Sequence, residues 1–236
     1  MQFSKLYAPS LKELFVQELQ GKILSGELEI GTRLPSEREL AEQLQVSRAV
    51  VNGGMVELAR QGFLEVRPRQ GTYVADYRRN GNIDTLIAIM NYNGGILRKG
   101  EIRSILELRM GLEHIAARRA IEFASDEDIF SLKQHVDALA REPKPTPIQA
   151  AEVAFQFHHE LAIIGGNHIL PLIYSSFKKP VISLWQRFCQ HYGVEMLHLN
   201  MSHLWDTLRR RDQADADAWI DEYLNKSIRG NLQIYE

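Results

Sequence analysis

Residues 33–74 read RLPSERELAEQLQVSRAVVNGGMVELARQGFLEVRPRQGTYV, and this stretch decides the fold of the N-terminal third of the chain. Apolar residues recur there at three-and-four spacing in two short segments, which predicts two helices that each pack on one side. Ser36 followed by Glu39 forms a capping box ahead of the first helix, and Ser47 can cap the second. The stretch therefore predicts a helix, a short turn and a second helix in direct succession.

The residues after the second helix predict a β-hairpin with a basic tip. Gln61-Gly62 is a helix stop, and the short segments 63–66 and 72–74 alternate weakly between apolar and polar residues. The turn between these two segments is Arg67-Pro68-Arg69-Gln70-Gly71. It brings two arginines to the end of the hairpin.

Helix, turn, helix and basic hairpin together predict a winged helix-turn-helix, in which the second helix enters a major groove and the wing lies along the backbone or minor groove. An amphipathic helix over residues 11–24 would close the back of this unit, and residues 30–34 would pair with the hairpin as a short strand. The alternative is a helix-hairpin packing unit that binds no nucleic acid. So many signals in the required order favour double-stranded DNA as the partner.

The segments LPSERELAEQLQVSR and LARQGFLEVRPRQGTYV resemble the DNA-binding domain of the GntR family of bacterial transcription regulators, and the resemblance covers residues 11–74. Arginines near helix N-termini can reach phosphates or a guanine edge, and serines at these ends lie where backbone N–H groups can hold a phosphate. The resemblance and this chemistry together make the following residues candidates for operator contacts: Ser36, Arg38, Ser47, Arg48, Ala49, Val50, Asn52, Arg69, Gln70, Gly71 and Thr72.

The second helix departs from the family pattern at one place. Where the family has an arginine followed by a glutamate, this chain has Asn52-Gly53-Gly54. Each glycine costs about 1 kcal/mol of helix propensity relative to alanine, and asparagine prefers adenine where arginine prefers guanine. Either the operator differs from the commoner type of the family, or the glycines allow close backbone approach to DNA or to the first helix. We favour the altered operator.

Composition sets the broad class of protein. A chain of 236 residues can form two domains with cores of their own, and a net charge of −2 means that DNA affinity must come from a local basic face. We expect the acidic residues near the motif to face away from the duplex. These are Glu27, Glu29, Glu37, Glu39 and Glu42.

Cysteine usage and hydropathy bear on the compartment. A single cysteine, Cys189, excludes an internal disulfide and fits a reducing compartment. The sequence contains no signal-peptide pattern and no apolar run long enough to span a membrane. We therefore expect a soluble cytoplasmic protein with no membrane partner.

The remaining two-thirds of the chain predicts helices alone, so that the fold class is mainly α. We divide the chain into a DNA-binding domain over 1–76, a linker with a connecting helix over 77–98, and a helical domain over 99–236. The connecting helix is predicted to end at Asn93-Gly94-Gly95. The third part predicts an antiparallel all-helical bundle of six or seven helices. Its helical patterns cover 101–123, 125–141, 149–164, 167–190, 194–211 and 213–232.

The segments ILELRMGLEHIAARRA and FQFHHELAIIGGNHIL, and a terminal helix after Arg211-Asp212, resemble the FCD-like C-terminal effector domain of the FadR branch of the GntR family. The resemblance implies a central cavity for a small carboxylate, sugar acid, amino acid or acyl-CoA. In many members it also implies a divalent metal held by one aspartate and three histidines. The corresponding positions are Ala154, His158, Met201 and Tyr223, of which only His158 keeps a ligand of that set, so we expect neither a metal nor another cofactor.

Five residues are candidates for effector contacts. Arg109 falls at the position of the inward-facing arginine of the family, where a guanidinium suits a carboxylate or phosphate. The alternative for Arg109 is a structural pair with Glu113 one turn later, in place of a ligand contact. The alternative for His158 is a core histidine whose hydrogen bonds are satisfied within the protein. We interpret Trp185, Phe188, Tyr192 and Trp205 mostly as core residues. The candidate effector contacts are Arg109, Glu113, His158, Asn167 and Tyr223.

The function predicted from these observations is that of a ligand-responsive bacterial transcription regulator. A homodimer would demand a palindromic operator, and the effector would be a small organic acid or an acyl-CoA type metabolite. The alternative is a constitutive DNA-binding protein whose helical half only dimerises. We find no nucleophile motif, phosphate loop or close carboxylate pair, so we predict that the protein is not an enzyme and has no catalytic residues.

Overall fold

The structure, a computed structural model, describes residues 8–91 and 99–234. The chain divides into two compact units, residues 1–94 and 95–236. The first unit contains five helices and one hairpin within its described residues. These elements are α1 (Leu11–Ser25), α2 (Glu37–Leu44), α3 (Arg48–Arg60), β1 (Leu64–Arg67), β2 (Gly71–Val74), α4 (Tyr77–Asn80) and α5 (Ile83–Asn91).

Capping residues fix where the first three helices begin. Ser10 forms a capping box with Glu13 at the start of α1, and Ser36 forms another with Glu39 at the start of α2. The hydroxyl of Ser47 accepts a hydrogen bond from the backbone N–H of Val50 at 3.3 Å and so caps α3. The caps predicted for α2 and α3 are therefore confirmed.

The wing forms as predicted. Strands β1 and β2 pair antiparallel, with Leu64 opposite Val74 at the base of the hairpin. The chain before α2 joins this pair as an isolated bridge between Arg33 and Tyr73, and the backbone N–H of Val74 donates to Thr32 at 2.9 Å. The expected pairing of residues 30–34 with the hairpin is thus confirmed, although as a single bridge.

Close packing between α1 and α3 explains one of the two unusual glycines. A Cβ atom on Gly54 would lie 2.2 Å from Cδ1 of Phe15, a distance that carbon atoms do not reach. Gly54 therefore lets the ring of Phe15 lie against the backbone of α3, a close approach to α1 that neither of the two interpretations given for this position named. The core here is formed by Phe15, Val16, Leu19, Ile23, Leu34, Leu40, Ala41, Val51, Met55, Leu58, Phe63, Leu64 and Val74.

The segment predicted as a linker is folded onto the first unit where the structure describes it. The side-chain amide of Asn82 donates to the carbonyl of Arg60 at 2.9 Å, and the hydroxyl of Thr85 donates to the carbonyl of Gln61. Asn82 also accepts from the backbone N–H of Asp84 at 2.9 Å, which starts α5. Because these bonds satisfy the last carbonyls of α3, residues 77–91 belong with the DNA-binding unit. The predicted helix end at 93–95 lies outside the described residues.

The second unit is helical throughout its described residues. The most extensive helix packing is between α9 and α11 and between α6 and α13, and α6 also packs on α9. The helices are α6 (Lys99–Phe123), α7 (Asp126–Ser131), α8 (Lys133–Leu139), α9 (Pro147–Ile164), α10 (Leu170–Ser176), α11 (Lys178–Tyr192), α12 (Val194–Arg209) and α13 (Gln213–Ile228).

Two of the predicted helices are divided in the structure, so the described residues contain eight segments where we predicted six or seven helices. The pattern over 125–141 breaks at Leu132, and the pattern over 167–190 breaks at Phe177. The second break has a plain cause. Pro180 has no N–H and cannot donate to the carbonyl of Ser176, so one regular helix cannot run through this point.

Among residues 8–91 and 99–234, we find no helix that combines the length and the apolar character needed to cross a membrane.

Candidate nucleic-acid interface and ligand cavity

The N-terminal turns of α3 present the predicted reading residues at the surface. Ser47, Arg48, Ala49 and Asn52 are exposed, and Val50 is half-buried because it also packs against the core. Within the described residues Arg48 makes no ion pair. Its guanidinium is therefore available to an outside anion.

The start of α2 adds two further predicted residues to this exposed set. Ser36 and Arg38 are both exposed. Arg38 lies 3.8 Å from Glu42 on the next turn, a long contact between two exposed side chains that contributes little. An open cleft of about 690 Å³ separates the start of α2 from the wing and is lined by Ser36, Glu37, Gly71 and Thr72 among others.

The wing tip holds Arg69 in an unusual backbone conformation. Its φ angle is 62°, in the left-handed region, and Gly71 follows at 116°. Arg67 stacks on Tyr73 at 4.4 Å and pairs with Glu65 at 2.9 Å, so it is held on the hairpin. Arg69 has no such partner among the described residues and remains exposed, as does Gln70. Arg69 is thus the free cation of the tip in this part of the chain.

One of the acidic residues near the motif contacts a predicted reading residue. Glu37, which we expect to face away from the duplex, accepts a hydrogen bond from the side-chain amide of Asn52 at 3.0 Å. A carboxylate beside a proposed base-reading residue fixes the orientation of its amide. It also leaves the amide oxygen of Asn52 without a hydrogen bond among the described residues.

The second unit contains a small cavity between α6, α9, α11, α12 and α13. Its volume is about 30 Å³, enough for about two water molecules. Most of the lining is apolar. The residues around it are Leu106, Arg109, His158, Leu184, Trp185, Phe188, Leu197, Asn200, Met201, Leu204, Tyr223, Leu224, Ser227 and Ile234.

Arg109 lies at the centre of the polar contacts of this cavity. Its side chain is 12% exposed, its Nε–H donates to Glu113, and its guanidinium lies 4.3 Å from the ring centre of Trp185. The ring of Trp185 in turn stacks on His158 with the centroids 5.1 Å apart. Arg109 and Glu113 therefore do form a structural pair. The pair is buried, so it is not the weak surface contact that spacing along one helix would suggest.

Several buried polar atoms around Arg109 have no hydrogen-bond partner among the described residues. They are Oε2 of Glu113, Nδ1 of His158 and the hydroxyls of Tyr174 and Tyr223. Burial raises the pKa of Glu113 against the opposing charge of Arg109, and burial together with Arg109 holds the pKa of His158 well below its usual value. An unpaired buried polar atom costs stability, so this cluster is suited to receiving a polar ligand.

The residues present do not fit the metal that the FCD resemblance implies. His158, Met201 and Tyr223 do line one cavity, so the structure brings three of the four corresponding positions together. Their donors, however, are one imidazole, one thioether and one phenol, and Ala154 supplies none. Within residues 8–91 and 99–234, no group of three or more histidine, cysteine or acidic side chains could hold an ion.

The structure bears on Asn167 and on two of the aromatic residues of the second unit. Asn167 does not line the cavity, because its side-chain oxygen accepts from the backbone N–H groups of Ile169 and Leu170 and so precedes α10 as a cap. We therefore withdraw it as an effector contact. Trp185 and Phe188 are buried core residues, as interpreted, and they also form part of the cavity wall.

The other aromatic residues of that group have structural roles. The indole N–H of Trp205 donates to Ile129 at 3.0 Å, and the hydroxyl of Tyr192 donates to Gln233. Cys189 is buried, and burial raises the pKa of its thiol to about 11, so the thiol is protonated at neutral pH.

Comparison with protein families matches both units. The family described as "Bacterial regulatory proteins, gntR family" matches residues 11–74, and the family described as "FCD domain" matches residues 104–226.

Individual relatives agree with the family matches. The HTH-type transcriptional regulator Mce2R of Mycobacterium tuberculosis is 32% identical over 169 residues, which are 72% of this chain and 69% of that protein. The HTH-type transcriptional repressor NanR of Enterobacter sp. (strain 638) is 27% identical over 222 residues, 91% of this chain and 83% of that protein. A solved structure described as "Lar controls the expression of the Listeria monocytogenes agr system and mediates virulence" shares the fold with a TM-score of 0.60 at 15% identity, covering 94% of this chain and 96% of its own.

Proposed function

Because this chain belongs to the GntR family of bacterial transcription regulators and carries an FCD effector-binding domain, we propose that it binds a palindromic operator as a homodimer and responds to a small organic acid. Binding of the acid in the second unit shifts the population of states in which the two DNA-binding units engage the duplex. A useful response requires the acid to prefer one state by a few kcal/mol, roughly one hundredfold in affinity.

The observation that carries the DNA part is the exposure of Arg48 and Arg69 without an ion pair in the described residues. On a protein of net charge −2, these exposed and unpaired cations supply the local positive charge that an anionic partner such as DNA requires. Arg48 at the start of α3 contacts a guanine edge or phosphate, and Arg69 contacts the backbone or minor groove from the wing.

The effector class follows from the cavity. Arg109 supplies a positive charge, and the free atoms of His158 and Tyr223 supply hydrogen bonds to an acid that takes over part of the role of Glu113. A volume of about 30 Å³ accommodates only a few non-hydrogen atoms without side-chain movement. Of the two predicted ligand types we therefore favour a small organic acid over an acyl-CoA, whose size would require the bundle to open.

Selection of bound duplexes from a random pool tests the DNA part, because it yields both the operator and its symmetry. Arg48→Ala should then weaken binding and reduce the slope of log affinity against log salt concentration by about one for each bound DNA-binding unit. Arg79→Ala is the matched control, because Arg79 is exposed in the same unit but pairs with Asp76 at 3.2 Å. Unchanged affinity and salt slope in the Arg48 variant would remove that residue from the interface.

Thermal shift with a panel of small mono- and dicarboxylic acids and with acyl-CoAs tests the effector part. Tyr223→Phe is the informative variant. It removes a hydroxyl that has no hydrogen-bond partner among the described residues, so the fold should keep its stability while the shift caused by the acid becomes smaller.

A second candidate function is constitutive DNA binding with a helical half that only dimerises. This function is favoured because the guanidinium of Arg109 already pairs with Glu113 and is already covered by Trp185, so its charge does not require a ligand. Absence of a thermal shift with every ligand class, in metal-free and in metal-loaded protein, would support this second function over the first.

A further inference from the structure

Lys12 lies in the first turn of α1 and covers part of α3. A Cβ atom placed on Gly53 would lie 3.7 Å from Cδ and 3.9 Å from Cε of Lys12, which is ordinary van der Waals contact. The apolar stem of this exposed lysine therefore runs along the flank of α3, next to the residue that follows Asn52. This contact depends on Gly53, because a longer side chain at that position would fill the same space.

The ammonium group of Lys12 makes no direct ion pair among the described residues of its unit. A cation in the first turn of a helix is disfavoured by the helix dipole. The charge of Lys12 acts at longer range on Glu13 and Glu57, but both carboxylates make their direct contacts elsewhere, since Glu13 caps α1 with Ser10 and Glu57 pairs with Arg60 at 2.6 Å. Within the described residues Lys12 forms no ion pair. The fold thus keeps an ammonium group beside α3 that, among the described residues, makes no direct ion pair.

We propose that Lys12 is a further DNA-contacting residue, whose ammonium group binds a backbone phosphate beside the recognition helix and so brings α1 into the interface. The inference rests on the proposed function, in which α3 enters the major groove. The flank at Gly53 directly follows the exposed Asn52 and lies one turn beyond Ala49. A phosphate contact carries no sequence information of its own, so Lys12 adds affinity and orientation without changing the preferred operator.

Lys12→Met is the most direct test, because methionine keeps an apolar stem over Gly53 and removes only the charge. Binding is measured as a function of salt to two probes, a duplex recovered from the random pool and a duplex of unrelated sequence. We expect the variant to bind both about threefold to tenfold more weakly and the salt slope to fall by about one for each bound head. The ratio of the two affinities should stay the same.

Two further variants separate a phosphate contact from a structural role. Lys12→Arg restores a cation at the same place and should regain the affinity and salt slope of the original protein. Lys22→Met is the matched control on the same helix, because Lys22 pairs with Glu18 and Glu27 and lies in the last turn of α1. It should leave both quantities unchanged.

The outcomes also separate this inference from the proposed function. If the original protein binds a recovered duplex and Lys12→Met keeps its salt slope, or Lys12→Arg binds as weakly as Lys12→Met, the role of Lys12 is overturned and the proposed function stands. If the original protein prefers no duplex from the pool, the proposed function is overturned, and the role of Lys12 with it.

Discussion

The arginines of the two candidate sites, one in each unit, have opposite surroundings. In the DNA-binding unit Arg48 and Arg69 are exposed and, within the described residues, have no ion-pair partner. In the FCD unit Arg109 is almost buried, pairs with the fully buried Glu113, and stacks on Trp185. Exposed unpaired cations add little to folding and are available to DNA, whereas a buried pair is part of the fold before any ligand arrives. Substitution of Arg48 or Arg69 should therefore change DNA binding, and substitution of Arg109 should change the stability of the second unit.

The largest effect should follow from breaking the buried pair. Arg109→Leu leaves Glu113 buried without its partner, and we expect the second unit to lose about 3 kcal/mol of stability. Denaturant unfolding followed by tryptophan fluorescence measures this unit selectively, because Trp185, Trp205 and Trp219 all lie in it.

The control for this prediction replaces both charges. Arg109→Leu combined with Glu113→Leu removes the whole pair and should recover most of the loss, since an apolar pair of similar volume needs no compensation. A double variant no more stable than the single one would show that the contact with Trp185, and not the ion pair, holds Arg109 in place.

The contrast also explains which parts of the protein can be predicted from the sequence. The caps at Ser36 and Ser47 and the wing hairpin depend on residues that lie close together in the chain, so their spacing alone identifies them. The break at Phe177 was predictable in principle, because Pro180 is visible in the sequence. We missed it because we gave more weight to the continuous helical periodicity around it.

The cavity is a different kind of feature, because its walls come from five helices that are distant in the sequence. Helical periodicity predicts that Trp185 and Phe188 share a face of α11, but it does not distinguish a cavity wall from solid core. Asn167 is the opposite case, because its local chemistry can be read from the sequence. An asparagine just before a helix often accepts from backbone N–H groups two and three residues on, as Asn167 does.

The second prediction concerns the base that α3 reads. Asn52→Arg should change the preferred base at one position of each half-site from adenine to guanine, with a discrimination of about 1–3 kcal/mol. Repeating the random-pool selection with this variant measures the change directly. The other positions of the recovered operator serve as the internal control and should remain the same.

Glu37 must be considered in the same experiment, because it accepts a hydrogen bond from Asn52 and would pair with an arginine at that position. Glu37→Gln in the arginine background removes this competition and should strengthen the guanine preference. If neither variant changes the recovered sequence, position 52 does not read a base.

The third prediction uses the two neighbouring glycines of α3 as a matched pair. Gly54→Ala forces a methyl group into the ring of Phe15, and the overpacking of about 1–3 kcal/mol should exceed the gain of about 1 kcal/mol in helix propensity. Gly53→Ala meets only the stem of Lys12 at 3.7 Å and should stabilise the helix by up to about 1 kcal/mol.

Amide hydrogen exchange in α1 and α3 measures both effects within the DNA-binding unit. A loss of exchange protection in Gly54→Ala together with a gain in Gly53→Ala would show that contact with Phe15, and not helix propensity, decides the residue at position 54. Phe15→Leu should restore the exchange protection lost in Gly54→Ala. Equal gains for both alanine variants would mean that the ring moves aside without cost.

The smallest effect depends on pH and belongs to the surface of the FCD unit. His114 lies 2.7 Å from Asp217 and 3.0 Å from Asp221 of α13, with Arg118 also facing Asp217 at 3.7 Å. Burial alone would lower the pKa of His114, but the hydrogen bonds with Asp221 and Asp217 outweigh it and raise the pKa above its usual value. The folded state therefore binds the proton more tightly than the unfolded chain does.

The stabilisation by His114 is consequently complete below the unfolded pKa of about 6.5 and is lost as the pH rises through the higher folded value. The melting temperature of His114→Gln should lie below that of the original protein at about pH 5.5 and approach it at about pH 9. The corresponding loss of unfolding free energy at about pH 5.5 should be less than about 1 kcal/mol. His135 supplies a control of opposite sign, because burial lowers its pKa and protonation of that residue opposes folding. His135→Gln should therefore gain relative stability as the pH falls. A His114 variant whose deficit is the same at every pH would mean that its contacts with α13 act as neutral hydrogen bonds, without a charge on the imidazole.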